Sequence, residues 1–93
     1  MRLRLTRAAR ADLQNAVDYI SQDSPRAALS LLAAVEKSTR RLLDTPLMAR
    51  PGRVEGTREL VIGRSPYIAI YTVADDEITI VRLLHGHQDW PPR

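Results

Sequence analysis

The sequence predicts an α+β fold: a short N-terminal strand, an antiparallel helix hairpin, then a three-strand antiparallel meander with the helices on one face of the sheet. Three observations carry this. Apolar residues recur at helical spacing in two consecutive runs before residue 45, parted by a short polar break. Three runs rich in Ile, Val, Tyr and Leu follow residue 57, separated by tight turns. Residues 2–5 alternate Arg, Leu, Arg, Leu, the pattern of a half-buried strand.

Thr6 follows the first strand and is a good helix N-cap. Ala9, Leu13, Ala16, Val17 and Ile20 then fall on one face, with Arg7, Arg10, Gln14, Asp18 and Ser21 off it. The pattern predicts an amphipathic helix over about 7–22. Ser24 and Pro25 restart the chain as N-cap and first helical residue, where the missing proline N–H is no loss. The second helix spans about 25–44, with Ala28, Leu31, Leu32, Val35, Leu42 and Leu43 as its apolar stripe, and Pro46 ends it. The short connection makes the two helices antiparallel neighbours.

Residues 45–57 form one long irregular segment, punctuated by Pro46, Pro51, Gly52 and Gly56 and carrying Arg50 and Arg53. Loops of this length are often functional. The meander strands are expected at about 58–63, 67–73 and 77–85. In the middle strand Ile68 and Ile70 share one face; Tyr67, Ala69, Tyr71 and Val73 share the other. Strict alternation along the third strand places Arg82 with Ile78, Ile80 and Leu84, opposite Val81 and Leu83. Two helices cover only one face of such a sheet. The other face must bind something or be shielded by the C-terminal tail.

A chain of 93 residues is expected to form one domain, 1–93, around one core. With 44% hydrophobic residues it is a globular composition rather than a disordered one. There is no cysteine, which excludes disulfides and thiolate metal sites. No long apolar run suggests a membrane span or signal peptide, so a cytoplasmic location is expected. The formal charge is +3, and Lys37 is the single lysine among the 14 basic residues. Arginine favours bidentate contacts to carboxylate and phosphate. Either a codon bias or a polyanionic partner, nucleic acid or acidic protein, accounts for this usage.

No Gly-rich phosphate loop, HExxH or G-x-S-x-G motif is present, and no cofactor is expected. His85 and His87 lie on either side of Gly86, but no third metal ligand is evident, so no metal site is assigned. His85 is a candidate acid or base as well as a candidate structural strand-end histidine. Arg82 interrupts an apolar strand, so it must lie on a wet face or be paired. Glu59 is a possible partner; the alternative is an anion-binding position. Trp90 is expected over the sheet edge or the second helix, with nucleobase stacking as the alternative.

The order of elements, together with Ala11-Asp12-Leu13, Tyr19-Ile20, Pro25 with Ala27-Ala28, Gly52-Arg53, Gly56-Thr57-Arg58-Glu59-Leu60, Pro66-Tyr67-Ile68, Tyr71, Leu83-Leu84-His85-Gly86 and Trp90, resembles the RelE/ParE superfamily of type II toxins over nearly the whole chain. The resemblance implies a twisted antiparallel sheet with helices on one face and a cognate antitoxin whose C-terminal segment wraps the toxin. Operator DNA would be contacted only through the antitoxin. Arg53, Arg64, Tyr67, Tyr71, His87 and Trp90 are the candidate antitoxin- or target-binding residues.

The superfamily divides by target. The RelE-like branch cuts mRNA on the ribosome, and its pattern implies Arg58, Arg82 and His85 as the catalytic candidates here. It carries a basic residue directly after the tyrosine matched by Tyr67; this chain has Ile68 there, and Glu59, Val61 and Ile62 where lysines often stand. The ParE-like branch poisons DNA gyrase without nuclease chemistry, and the resemblance favours that branch. An mRNA interferase and a detoxified, purely regulatory antitoxin-binding protein are the alternatives.

Overall fold

The computed structural model describes residues 1–92, so Arg93 of the expected domain lies outside the described residues. The order is β1 (Arg2–Leu5), α1 (Arg7–Asp23), α2 (Pro25–Asp44), β2 (Arg50–Pro51), β3 (Arg58–Val61), β4 (Tyr67–Ala74) and β5 (Glu77–His85). The caps are those read from the sequence. Thr6 Oγ1 accepts from Ala9 N at 3.0 Å, and Ser24 Oγ accepts from Ala27 N at 3.1 Å. Each side chain thus satisfies a backbone donor that its helix leaves free.

Among the described residues the expected N-terminal strand and meander, with one further strand, form a five-stranded sheet in the order β1-β5-β4-β3-β2. β1 pairs parallel to β5, with Leu3 beside Ile78 and Leu5 beside Ile80. Two residues of the long loop, Arg50 and Pro51, add β2 against β3. The β3–β4–β5 meander is antiparallel as expected. The helices pack on one face, where Ala9, Ala16, Leu31 and Leu42 meet Ile62, Ala69, Tyr71, Ile78, Ile80 and Leu83 in the main core. Each large aliphatic side chain so buried stabilises the fold by about 1.5–3 kcal/mol.

Strict alternation fails in β5. Ile70 stands opposite Arg82 but Tyr71 stands opposite Ile80, so Val81 is the extra residue of a bulge. The bulge reverses which face is inward. Ile78 and Ile80 join Leu83 in the helix-side core, whereas Leu84 sits across from Ile68 on the other face. The expectation that Ile78, Ile80, Arg82 and Leu84 share one side is therefore wrong, because the period of two is broken in mid-strand.

That other face is partly closed by the tail. Ile70 and Leu84 are 1% and 5% exposed although neither belongs to the helix-side core. After β5 the chain turns back: Gly86 N–H donates to Pro66 O at 2.7 Å. Gly86 Cα lies so close to this strand that an added Cβ would meet Pro66 O at 3.3 Å and Ile68 Cδ1 at 3.9 Å. Four residues later the Trp90 carbonyl accepts from Arg53 Nη1 at 3.4 Å. The tail thus reaches Arg53 in the loop between β2 and β3, and the Trp90 indole N–H is buried without a hydrogen-bond partner among the described residues.

Candidate functional site

Where β1 ends at Leu5, the edge of β5 would be left unpaired, and side chains take over from the strand. Thr6 Oγ1 donates to Val81 O at 2.7 Å, Asp12 Oδ2 accepts from Leu83 N at 2.9 Å, and Gln88 Oε1 accepts from His85 N at 2.6 Å. Asp12 also takes both Arg82 Nε at 2.7 Å and Arg82 Nη2 at 2.9 Å. The Asp12 hydrogen bond raises the Arg82 pKa above its ordinary value, against the opposing effect of burial. The partner of Arg82 is Asp12, not Glu59. Arg82 shares its face with Glu59 but lies two strands away, with Ile70 between them.

Glu59 serves a different end of the sheet. Its side chain is 1% exposed; Oε2 accepts from Arg53 N at 2.9 Å, and the carboxylate meets the Arg50 and Arg53 guanidinium groups at 3.4 and 3.5 Å. This ties the long loop to β3. Arg58 Nη1 donates to Ala49 O at 2.7 Å and to Leu47 O at 3.3 Å, and Tyr71 Oη donates to Pro46 O at 2.8 Å. Burial pushes the Tyr71 pKa up, partly offset by backbone hydrogen bonding and by the charge of Arg58. Arg58 and Tyr71 therefore hold residues 46–49 in place, and Arg53, Arg50 and Trp90 gather on the rim beyond.

At the opposite end lies a groove of about 540 Å³ between the two helices and the β3–β4 turn. Tyr19, Ile20, Ala27, Leu31 and Ala34 form its helical wall, and Arg64, Pro66, Tyr67 and His85 form the sheet wall. Tyr19 is 69% exposed. A smaller hollow of about 190 Å³ adjoins it, sharing Tyr19, Tyr67 and His85 and adding Asp12, Asn15 and Gln88. The turn is fixed by Gly63 at φ +54° and by Ser65, whose hydroxyl donates to Ile62 O at 2.6 Å and accepts from Tyr67 N at 3.1 Å. Tyr67 and His85 meet edge to face with centroids 5.5 Å apart, and His87 stacks on His85 at 5.2 Å. His87 N donates to His85 Nδ1 at 3.3 Å. Neutral His85 therefore carries its proton on Nε2, since Nδ1 is the acceptor.

The structure brings Arg64, Tyr67, His85 and His87 together at this groove. It gathers Arg53, Arg58, Tyr71 and Trp90 at the loop end. The three nuclease candidates do not converge. Arg58 stands opposite Tyr71 and His85 opposite Tyr67, four residues apart along β4, which is about 13 Å at the strand rise. Arg58 is occupied by loop carbonyls and Arg82 by Asp12. Ile68 faces Val61 and Leu84, so the position after Tyr67 presents carbon and no charge. Among the described residues no three His, Cys, Asp or Glu side chains are grouped to hold a metal ion, and no helix is long and apolar enough to cross a membrane.

Sequence reasoning missed Tyr19 and Asp12 as site residues. An aromatic on the polar side of a helix was the available signal for Tyr19. Asp12 gave none, because its partner is 70 residues away.

Comparison with known proteins fits this architecture. Residues 3–90 match the family model described as ParE toxin of type II toxin-antitoxin system, parDE. The chain is 38% identical over 90 residues to the Sinorhizobium fredii protein named Putative toxin Y4kP, covering 97% of this chain and 93% of that protein. Its fold is similar to a solved chain described as the chromosomal ParDE TA system from P. aeruginosa. That match has a TM-score of 0.79 and 32% identity, and it covers 91% of this chain and 95% of that one.

Proposed function

The chain belongs to the ParE toxin family of type II toxin–antitoxin systems, and from this premise we propose that it arrests growth by binding and poisoning DNA gyrase until a cognate antitoxin neutralises it. The observation that carries the reading is the separation and prior engagement of the basic candidates. Phosphoryl transfer needs cations and a proton carrier converging on one atom. Here Arg58 holds a loop, Arg82 holds α1, and His85 faces a groove without either of them. Such a molecule acts by occupying a surface.

The groove supports the antitoxin part of the proposal. Its wall is mostly apolar, and among the described residues Arg64 is its one formally charged lining residue. An amphipathic antitoxin segment with an acidic side suits such a wall, its apolar residues entering between Tyr19 and Tyr67. The test is a supercoiling and cleavage assay on purified gyrase with and without the antitoxin. Inhibition relieved by the antitoxin supports the proposal; gyrase unaffected at toxin excess refutes it.

A further inference from the structure

The first half of α2 is apolar on nearly every side. Residues 27–35 read Ala-Ala-Leu-Ser-Leu-Leu-Ala-Ala-Val. A helix that is apolar all round is ordinarily covered all round. Here the core takes Ala28 and Leu31, and the groove takes Ala27 and Ala34. Leu29 and Ala33 serve neither. At about 100° per residue they lie on the side of the helix opposite its buried stripe. Leu29 is 67% exposed, the neighbouring Leu32 is 38% exposed, and Ala33 is exposed too. Among the described residues nothing covers this face.

The same face carries charge in a definite order. Arg26, Leu29, Ala33, Glu36 and Arg40 follow one another at alternating steps of three and four, and all are exposed. That spacing is the seam along which one helix packs against another. Arg40 pairs with Glu36 through Oε1, which leaves Oε2 open to a second cation. Among the described residues Arg26 meets no carboxylate.

A second copy of α2 fits this seam in one direction. With the helices antiparallel and a two-fold axis at the level of Leu31, Leu29 lies opposite the partner's Ala33 and Arg26 opposite the partner's Glu36. The axis makes each contact occur twice. The small Ala33 leaves room for the leucine, and a shallow crossing of about 20° keeps the two seams together over several turns. Parallel helices would instead set arginine beside arginine and glutamate beside glutamate.

We propose that α2 forms the interface of a symmetric homodimer, with Leu29 packed on the partner's Ala33 and Arg26 paired with the partner's Glu36 across antiparallel helices. This goes beyond the gyrase proposal and does not depend on it. Sedimentation equilibrium of the full chain over a range of concentrations should show a reversible monomer–dimer equilibrium. Leu29→Glu sets a charge in the middle of the seam and should raise the dimer dissociation constant about tenfold or more. Arg26→Glu and Glu36→Arg each place like charges face to face twice, and each alone should weaken the dimer about fivefold or more. An equimolar mixture of these two variants should dimerise again, because every charged contact across the mixed seam is then between opposite signs. Misfolded variants would not recover on mixing. A monomer at every concentration would overturn the proposal and leave the face to a different protein. A dimer of full strength in Leu29→Glu would overturn it as well, as would single charge variants that associate like wild type or fail to recover when mixed.

Discussion

Asp12 on α1 and Arg82 on β5 form a two-point contact at 2.7 and 2.9 Å, and the same carboxylate receives the Leu83 N–H. This single side chain joins the first helix to the sheet where β1 gives out. Asp12 is 14% exposed and Arg82 29%, so solvent screens the pair in part. Asp12→Ala is expected to lower the unfolding free energy by about 2–3 kcal/mol, because it strands both a guanidinium and an edge N–H. Arg82→Met should cost less, since Asp12 keeps the Leu83 contact. Urea unfolding of the two variants checks the order; equal losses, or none from Asp12→Ala, would show that the contact is ornamental.

Tyr71 makes a pH prediction. Its side chain is fully buried, its hydroxyl donates to Pro46 O, and burial raises its pKa. A raised folded pKa means that the folded state holds this proton more tightly than the unfolded chain does. Its contribution is therefore fully present below the ordinary tyrosine value of about 10 and declines as pH rises through the folded value. Tyr71→Phe should lose about 1 kcal/mol near neutrality through the missing hydrogen bond. The stability difference between wild type and Tyr71→Phe should then shrink in alkali. A difference that stays flat or grows above pH about 10 contradicts this.

Glu59 is a carboxylate sealed beneath a loop. Replacing it with alanine removes the acceptor of Arg53 N–H and the shared counter-charge of Arg50 and Arg53. A loss of about 1–3 kcal/mol is expected, together with faster exchange of the Arg53 amide. Glu59→Gln keeps an oxygen for that amide and should be milder. If both variants behave alike in hydrogen exchange, the carboxylate does not hold the loop.

Two turns share a preference for glycine. Gly63 has φ +54°, and a Cβ there would meet Ala34 Cβ at 3.3 Å, so Gly63→Ala should destabilise by about 1–2 kcal/mol. Asp75 also sits at φ +54°, between β4 and β5, where glycine is less strained. Asp75→Gly should be neutral or stabilising by up to about 1 kcal/mol. Thermal unfolding of the two variants reads both signs at once.

The helices, their caps and the meander were legible because each is written locally: Thr6, Ser24-Pro25 and Pro46 bound the helices, and runs of β-formers mark the strands. What was not legible depends on distant partners. The parallel pairing of Leu3 with Ile78 spans most of the chain and leaves no local trace. The bulge at Val81 looks like ordinary alternation until the register with Tyr71 and Ile70 is known. Arg82 was recognised as needing a partner, but Glu59 and Asp12 are equivalent in sequence; only the end of β1 at Leu5 decides that Asp12 fills the vacant edge. At the candidate site, Tyr67 and His85 were named and do meet. The helical wall facing them, with Tyr19 at its rim, follows from how the hairpin lies on the sheet.

The proposed action of this toxin is binding to gyrase and not cleavage of RNA. The most direct measurement follows induction of the toxin without its antitoxin and scores plasmid topology, gyrase-linked DNA breaks and mRNA ends in the same cells. Gyrase poisoning should give relaxed plasmid and trapped gyrase–DNA breaks with transcripts intact, unchanged in kind by Arg58→Ala. Fresh mRNA ends that vanish with His85→Ala, over normally supercoiled DNA, would contradict it.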